Sequence, residues 1–395
     1  MSKLKGLAKK YEEKIIEYRR DFHKHPELAD REVRTAAVVA EVLESLGIET
    51  QKNVGTTGVV GIIKGSEPGK VIALRADMDA LPMQEENDLP YASLNKGVMH
   101  SCGHDLHTAI LLGCAHVLNE VKDELAGTVK LVFQPAEENN PTGGAPGMIR
   151  DGVLENPKVD AMIGLHVWPS LETGTAAIKA GSMMAASDRI FITIKGKSSH
   201  GSEPQNGIDA VVTTGAVLTA LQTIISREIG PQDSAVVTVA TINGGSKYSI
   251  ICDEVKLEGT VRTILPETRN SMEGRIERVI KGVTSAMGAD YDFRYQKGFS
   301  VTMNDAGMVD LVYSTMKNVL GDGALIAEKS ALGGEDFSFF AELVPAAYLH
   351  LGCRPKDIPF SNFAPIHNVK FNPDEKSMAL GVELMAQAAL DFCNK

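Results

Sequence analysis

Between Met99 and His107 the chain reads Met-His-Ser-Cys-Gly-His-Asp-Leu-His, one thiol, three imidazoles and a carboxylate in nine residues, just before the apolar run 109–117. No ordinary core segment is so rich in borderline-soft donors, and Cys, His and carboxylate together suit zinc, manganese, cobalt or nickel. Cys102 and His104 are two apart, so on an extended or turning backbone they project to one side, and Gly103 lets the chain bend toward an ion. Taken alone, the stretch also reads as a helix start with solvated histidines.

Other segments deliver matching donors. Short β-rich runs occupy 59–63 and 71–74, and the second leads into Arg75-Ala76-Asp77-Met78-Asp79. Acids at the carboxyl end of a buried strand lie where open α/β sheets place their chemistry. A third run, 128–133, exits into Gln134-Pro135-Ala136-Glu137-Glu138. Adjacent buried carboxylates repel each other without a cation, and a metal that takes one leaves its neighbour as a general base. A fourth run, 161–165, delivers His166 at its end. Strands that end in Asp77, Glu137-Glu138 and His166, beside the Cys/His turn, predict an α/β domain with a metal site at one sheet edge.

The flanking segments read as helices: 5–24 and 31–46 before the first strand, and 307–320, 336–343 and 377–393 at the end. Pro26 breaks the first pair, and His23 and His25 beside it read as surface or capping groups. From 187 the pattern changes to β-α-β-β-α-β, a ferredoxin-like order. The expected organisation is a discontinuous catalytic domain, 1–185 and 299–395, with an inserted domain at 186–298. His367, in Pro365-Ile366-His367-Asn368, reads from spacing alone as a loop residue.

A chain of 395 residues exceeds the usual size of a single core. Its net charge of −11 argues against a general binder of nucleic acid or anionic membrane. The N-terminus is charged without an apolar signal segment, and no uninterrupted apolar run is long enough to span a bilayer. Five cysteines in no paired spacing suggest free thiols, so the cytoplasm is the expected compartment.

Six motifs carry a resemblance: Leu74-Arg75-Ala76-Asp77-Met78-Asp79-Ala80-Leu81-Pro82, Met99-His100-Ser101-Cys102-Gly103-His104-Asp105, Phe133-Gln134-Pro135-Ala136-Glu137-Glu138, Gly164-Leu165-His166, Gly259-Thr260-Val261-Arg262 and Gly333-Gly334-Glu335-Asp336-Phe337. In order and over nearly the whole chain, they resemble the amidohydrolase branch of the aminoacylase and glutamate-carboxypeptidase metallopeptidases. That branch includes N-acyl-amino-acid amidohydrolases, hippurate hydrolases, auxin-conjugate hydrolases and N-acetyldiaminopimelate deacetylases. The resemblance implies a mixed-sheet, three-layer catalytic domain of the zinc-peptidase type with an inserted dimerisation or lid domain, two divalent metal ions per subunit, and a homodimer or a dimer of dimers.

By position, Cys102, His104, Glu138, His166 and His367 match the metal ligands. Glu137 matches the general base, and Asp77 the acid that supports a ligand from behind. His200 matches a lid histidine thought to reach a neighbouring subunit's site and steady the oxyanion. Arg262 matches the group that holds the substrate carboxylate, with Ser249 and Gly334 also at substrate-binding positions. Two lid segments depart from the pattern: Ser249-Ile250-Ile251-Cys252 stands where relatives usually have Asn-Val-Ile-Pro, and Pro204-Gln205-Asn206-Gly207 where many have Pro-His-x-Gly. The implied substrate is a small N-acyl amino acid or short peptide. An N-acetyldiaminopimelate deacetylase is an alternative, as is a catalytically silent metal-binding scaffold. An acid kept beside Glu138 speaks against the scaffold.

Overall fold

The structure, a computed structural model, describes residues 2–395. It divides into two compact units: one spans Met1–Met183, Met303–Lys329 and Asp336–Lys395, the other Met184–Thr302 and Ser330–Glu335. Segment 330–335, with Gly334, belongs to the second unit, where the expected division placed it in the catalytic domain.

The first unit is built on a seven-stranded mixed sheet in the order Glu49–Val54, Gly58–Lys64, Ala126–Gln134, Glu67–Asp77, Ala161–Glu172, Ala346–Arg354, Ala176–Ala177. The four central strands run parallel to one another, so their carboxyl ends lie on one edge. Alternation along them sends Ile72, Leu74, Leu131, Phe133, Ile163, Leu165, Leu349 and Leu351 into one core with helices Lys3–Lys24, His104–Glu120 and Lys376–Cys393. The opposite face takes Arg75 and Tyr348, and a side chain at Gly164 would approach Tyr348 and Phe337 to 3.0 Å or less. Both faces are covered, which is why these strands read as near-continuous apolar runs. Helix His104–Glu120 is buried from His104 through Leu118, so its sequence shows no polar face.

Three expectations change. Ala346–Arg354 is a fully buried strand where the sequence suggested only helices, because a short buried run cannot be told from a buried helix segment by periodicity alone. Ser338–Ala341 is all that forms of the 336–343 helix. His166 lies mid-strand, since its strand continues to Glu172.

The second unit is a four-stranded antiparallel sheet in the order Asp290–Phe299, Ala186–Lys195, Glu254–Thr263, Ala235–Gly244. Helices Ala210–Thr223 and Pro266–Ala286 contribute Val217, Leu221, Met272, Ile276 and Ile280 to a core with Ile190, Ile192, Ile194, Val255 and Leu257. This is the expected ferredoxin-like unit. Its edge strand Ala235–Gly244 is exposed along its second half, and Val211, Val212 and Ile242 are each more than half exposed. By length and composition alone the helical run Ala210–Glu228 would also pass for a membrane span, against the reading of the sequence, and a third of it is buried.

Candidate metal centre

The turn Cys102-Gly103 sits just before helix His104–Glu120, with Gly103 at φ +95. A side chain there would meet Val167 at 2.4 Å, so glycine answers both the backbone and the close approach. His104 opens the helix with Nδ1 2.9 Å from the Asp79 carbonyl and 3.2 Å from its carboxylate. His166 Nδ1 lies 2.7 Å from the Val167 carbonyl. Each Nδ1–H therefore donates to an oxygen, which leaves each Nε2 as the nitrogen turned toward another partner. Nε2 of His104 is buried and has no hydrogen bond, while Nε2 of His166 is 3.3 Å from Cys102 Sγ. His367, in a loop at φ +59, has its N–H on the Ser101 carbonyl at 2.8 Å and its Nε2 3.1 Å from Glu138 Oε1.

These donors fall into overlapping groups, each with ligand atoms within 4.8 Å of one another: Cys102, His104 and His166; Cys102, Glu138 and His367; and His104, Glu137 and Glu138. Thiol, imidazole and carboxylate within such reach suit one or two borderline divalent cations, with Cys102 common to the first two groups.

The electrostatics point the same way. Burial, then the charges of Glu138, Glu137 and Asp77, hold the Cys102 thiol well above its usual range. Burial, then the charges of His107 and His104, keep His166 neutral, as a ligand must be. Burial would lower His104, but Asp77 and Asp79 raise it to about 10, so positive charge is favoured at its Nε2. A cation placed among these atoms would relieve all three at once.

Support comes from residues to which the sequence assigned little. Asp77, the expected support for a ligand, instead takes the Nδ1–H of His107 at 2.6 Å, and its other oxygen is 3.7 Å from His104 Nε2. The carboxylate on His104 Nδ1 is Asp79. His107 Nε2 accepts the N–H of Val167 at 2.9 Å, so both its ring nitrogens are engaged within the protein. Its spacing of three from His104 on one helix is the signal that could have found it. Behind Asp77, Arg75 reaches its Oδ2 at 2.6 Å, Gln134 at 2.8 Å and Asp336 at 2.9 Å. Burial opposes ionisation of Asp77, but His104, Arg75 and His107 overcome it and hold the carboxyl well below its usual range. Polar Arg75 and Gln134 in otherwise apolar strands were the legible trace of this network.

The remaining predicted residues lie in the second unit. His200 is exposed, and its loop is tied to that of Ser249 by the Gly201 N–H on the Ser249 carbonyl at 2.8 Å. Arg262 is opposite Ser187 in the sheet, and Gly334 packs on the same Ser187. Asp188, the acid nearest in sequence to that register, is taken by Arg269, Tyr295 and the Gly298 N–H. Burial, more than the charges of Asp188 and Arg189, sets the Arg262 guanidinium below its usual range.

Residues 73–391 match the family described as peptidase family M20/M25/M40. The chain is 43% identical over 301 residues to an N-acyl-L-amino acid amidohydrolase of Geobacillus stearothermophilus, covering 76% of this chain and 80% of that one. It is 38% identical over 397 residues to thermostable carboxypeptidase 2 of Saccharolobus solfataricus, covering 100% and 99%. The crystal structure of the Bacillus subtilis YXEP protein, described as a dinuclear metal binding peptidase from the M20 family, superposes with a TM-score of 0.85 at 34% identity over 98% and 99% of the two chains. With these donors and supporting acids on its parallel-strand edge, this chain belongs to peptidase family M20/M25/M40.

Proposed function

We propose that this hydrolase cleaves the amide bond of N-acyl amino acids, or the C-terminal bond of a short peptide, with Glu137 as its general base. The observation that carries the reading is the position of Glu137. Cys102, His104, His166, Glu138 and His367 make up the two donor groups that share Cys102, and buried Glu137 lies against His104 and Glu138 in addition to them. Relatives named as an N-acyl amino acid amidohydrolase and a carboxypeptidase support both substrate classes.

Bound divalent cations would polarise the scissile carbonyl and bring the pKa of a water toward neutrality. Glu137 takes the proton from the attacking water and passes it to the departing nitrogen, one carboxylate serving in both directions. Asp79 holds His104 in the tautomer that aims Nε2 inward. Arg262 receives the substrate carboxylate, for which its planar fork of donors is suited. No ion pair joins it to Glu258 or another acid among the described residues, which supports that use. The open edge of Ala235–Gly244, with exposed Ile242, Val211 and Val212, supports a homodimer through the inserted unit, in which His200 serves the neighbouring site.

Metal-loaded protein should hydrolyse at least one of N-acetyl-methionine, hippurate, N-acetyl-diaminopimelate or a dipeptide, and should discriminate against the C-terminal amide of its best substrate. Glu137→Gln should retain the metal and lose turnover by about 10²–10⁴-fold. A metal-replete protein inert on the whole panel, or a Glu137→Gln variant near wild type, would overturn the reading.

A further inference from the structure

Glu32 lies more than a hundred residues from Glu137 in sequence, immediately before helix Val33–Ser45, and is wholly buried. It does not cap that helix: the N–H groups of Arg34 and Thr35 go to Glu27 at 3.0 and 2.8 Å, and the Glu32 side chain makes no cap hydrogen bond. Its Oε1 instead accepts the Ala136 N–H at 2.8 Å and the Asp30 N–H at 3.1 Å, while Oε2 accepts the Thr57 hydroxyl at 2.6 Å. Ala136 has φ +56 and Asp30 φ +62, so one oxygen serves two non-glycine residues in the left-handed region.

Ala136 is the hinge of the functional turn. It is fully buried between the end of strand Ala126–Gln134 and the pair Glu137-Glu138. Two residues on, the Glu138 N–H is taken by Asp79 Oδ2 at 2.8 Å. The turn is thus fastened on both sides of Glu137 by buried carboxylates from distant segments, Glu32 before it and Asp79 after it. A buried N–H in a strained backbone conformation persists only where its surroundings hold it there.

We infer that Glu32 is a positioning residue, whose carboxylate holds the Ala136 backbone so that Glu137 is aimed at the reacting water. The inference deepens the amidohydrolase reading and rests on Glu137 as its base. Burial and the neighbouring charge of Asp79 push the Glu32 carboxyl up to about 7. A neutral side chain with the same acceptor oxygen, as in Glu32→Gln, is therefore compatible with the site.

The test compares wild type, Glu32→Gln and Glu32→Ala as full-length, metal-loaded proteins, by steady-state kinetics and by hydrogen–deuterium exchange of the peptide spanning 133–139. Glu32→Ala should lower kcat at least about tenfold with KM within about threefold and metal content unchanged, and should speed exchange of the Ala136 amide about tenfold or more. Glu32→Gln should stay within about threefold of wild type in both. A Glu32→Ala variant with kcat near wild type, or one whose loss falls on KM or metal content, overturns the inference. If Glu32→Ala does not fold, Thr57→Val, which unpins the carboxylate's other oxygen, should speed the same exchange about threefold, and an unchanged rate overturns it. The exchange arm reads the Glu32 contact even if wild type proves inert on every acyl amino acid, an outcome that removes the functional reading instead.

Discussion

Cys102 has a thiol that burial and three carboxylates hold protonated, beside imidazoles whose tautomers are fixed to face it. Such a thiol ionises only when a cation arrives, since coordination deprotonates it outright. Titration of metal-free protein with Co²⁺ should therefore release a proton and develop a sulfur-to-metal charge-transfer band. The band should be missing in Cys102→Ala and the proton release smaller, since His104, raised to about 10, also gives up a proton to a metal. A band that persists in that variant would place the sulfur ligand elsewhere, among the other four cysteines.

At the scale of elements, the first helix is fastened to the metal turn by buried charge. Arg19 Nε and His23 Nδ1, one turn apart on helix Lys3–Lys24, both reach Asp105 Oδ2, at 2.9 and 2.8 Å. His23 Nε2 also lies 3.1 Å from Glu85. A carboxylate at each ring nitrogen favours the imidazolium form of His23: burial opposes the charge, but Asp105 and Glu85 raise its pKa above the usual value. The expected surface histidine is thus part of the core, whereas His25 does cap the helix end, its Nδ1 on the Asp21 carbonyl. A raised histidine pKa contributes stability that is whole below the unfolded value near 6.5 and is lost as pH rises through the folded value. His23→Gln should cost roughly 3–5 kcal/mol at pH 6, the scale for breaking a buried pair. In urea unfolding the gap from wild type should narrow as pH rises above about 6.5 through the raised pKa of His23. A gap independent of pH would mean that His23 is neutral.

For the whole molecule, the question is whether a site draws on a second copy. His200 is exposed and its Nδ1 meets Ser202, at 2.6 Å from the hydroxyl and 3.2 Å from the N–H, in a unit with an open sheet edge. Mixing His200→Ala with Glu137→Gln, each inactive alone, tests the proposed use of His200 across a two-fold dimer. If it acts on the neighbouring site, each mixed dimer has one site with both defects and one with neither. Random exchange of equal amounts should then restore about a quarter of all sites. Verified mixed dimers without activity would mean that His200 acts within its own chain, if at all.

Cys102, His104, Glu137, Glu138 and His166, the α/β alternation and the inserted β-α-β-β-α-β unit each leave a local mark in the sequence, whereas His367 reads from spacing alone as a loop residue. A Cys/His turn, carboxylates after apolar runs and a change of hydrophobic period all declare themselves within about ten residues. What tertiary structure alone decided was pairing over long separations. Asp79 rather than Asp77 holds His104, because two acids two residues apart are distinguished only by what packs against them. His23 is buried because Asp105 and Glu85, from two other segments, converge on it. Strand Ala346–Arg354 is buried throughout, and periodicity alone does not separate such a run from a buried helix segment. Glu32 reads locally as one more acid at a helix start, and only the folded chain brings it to the backbone of Ala136.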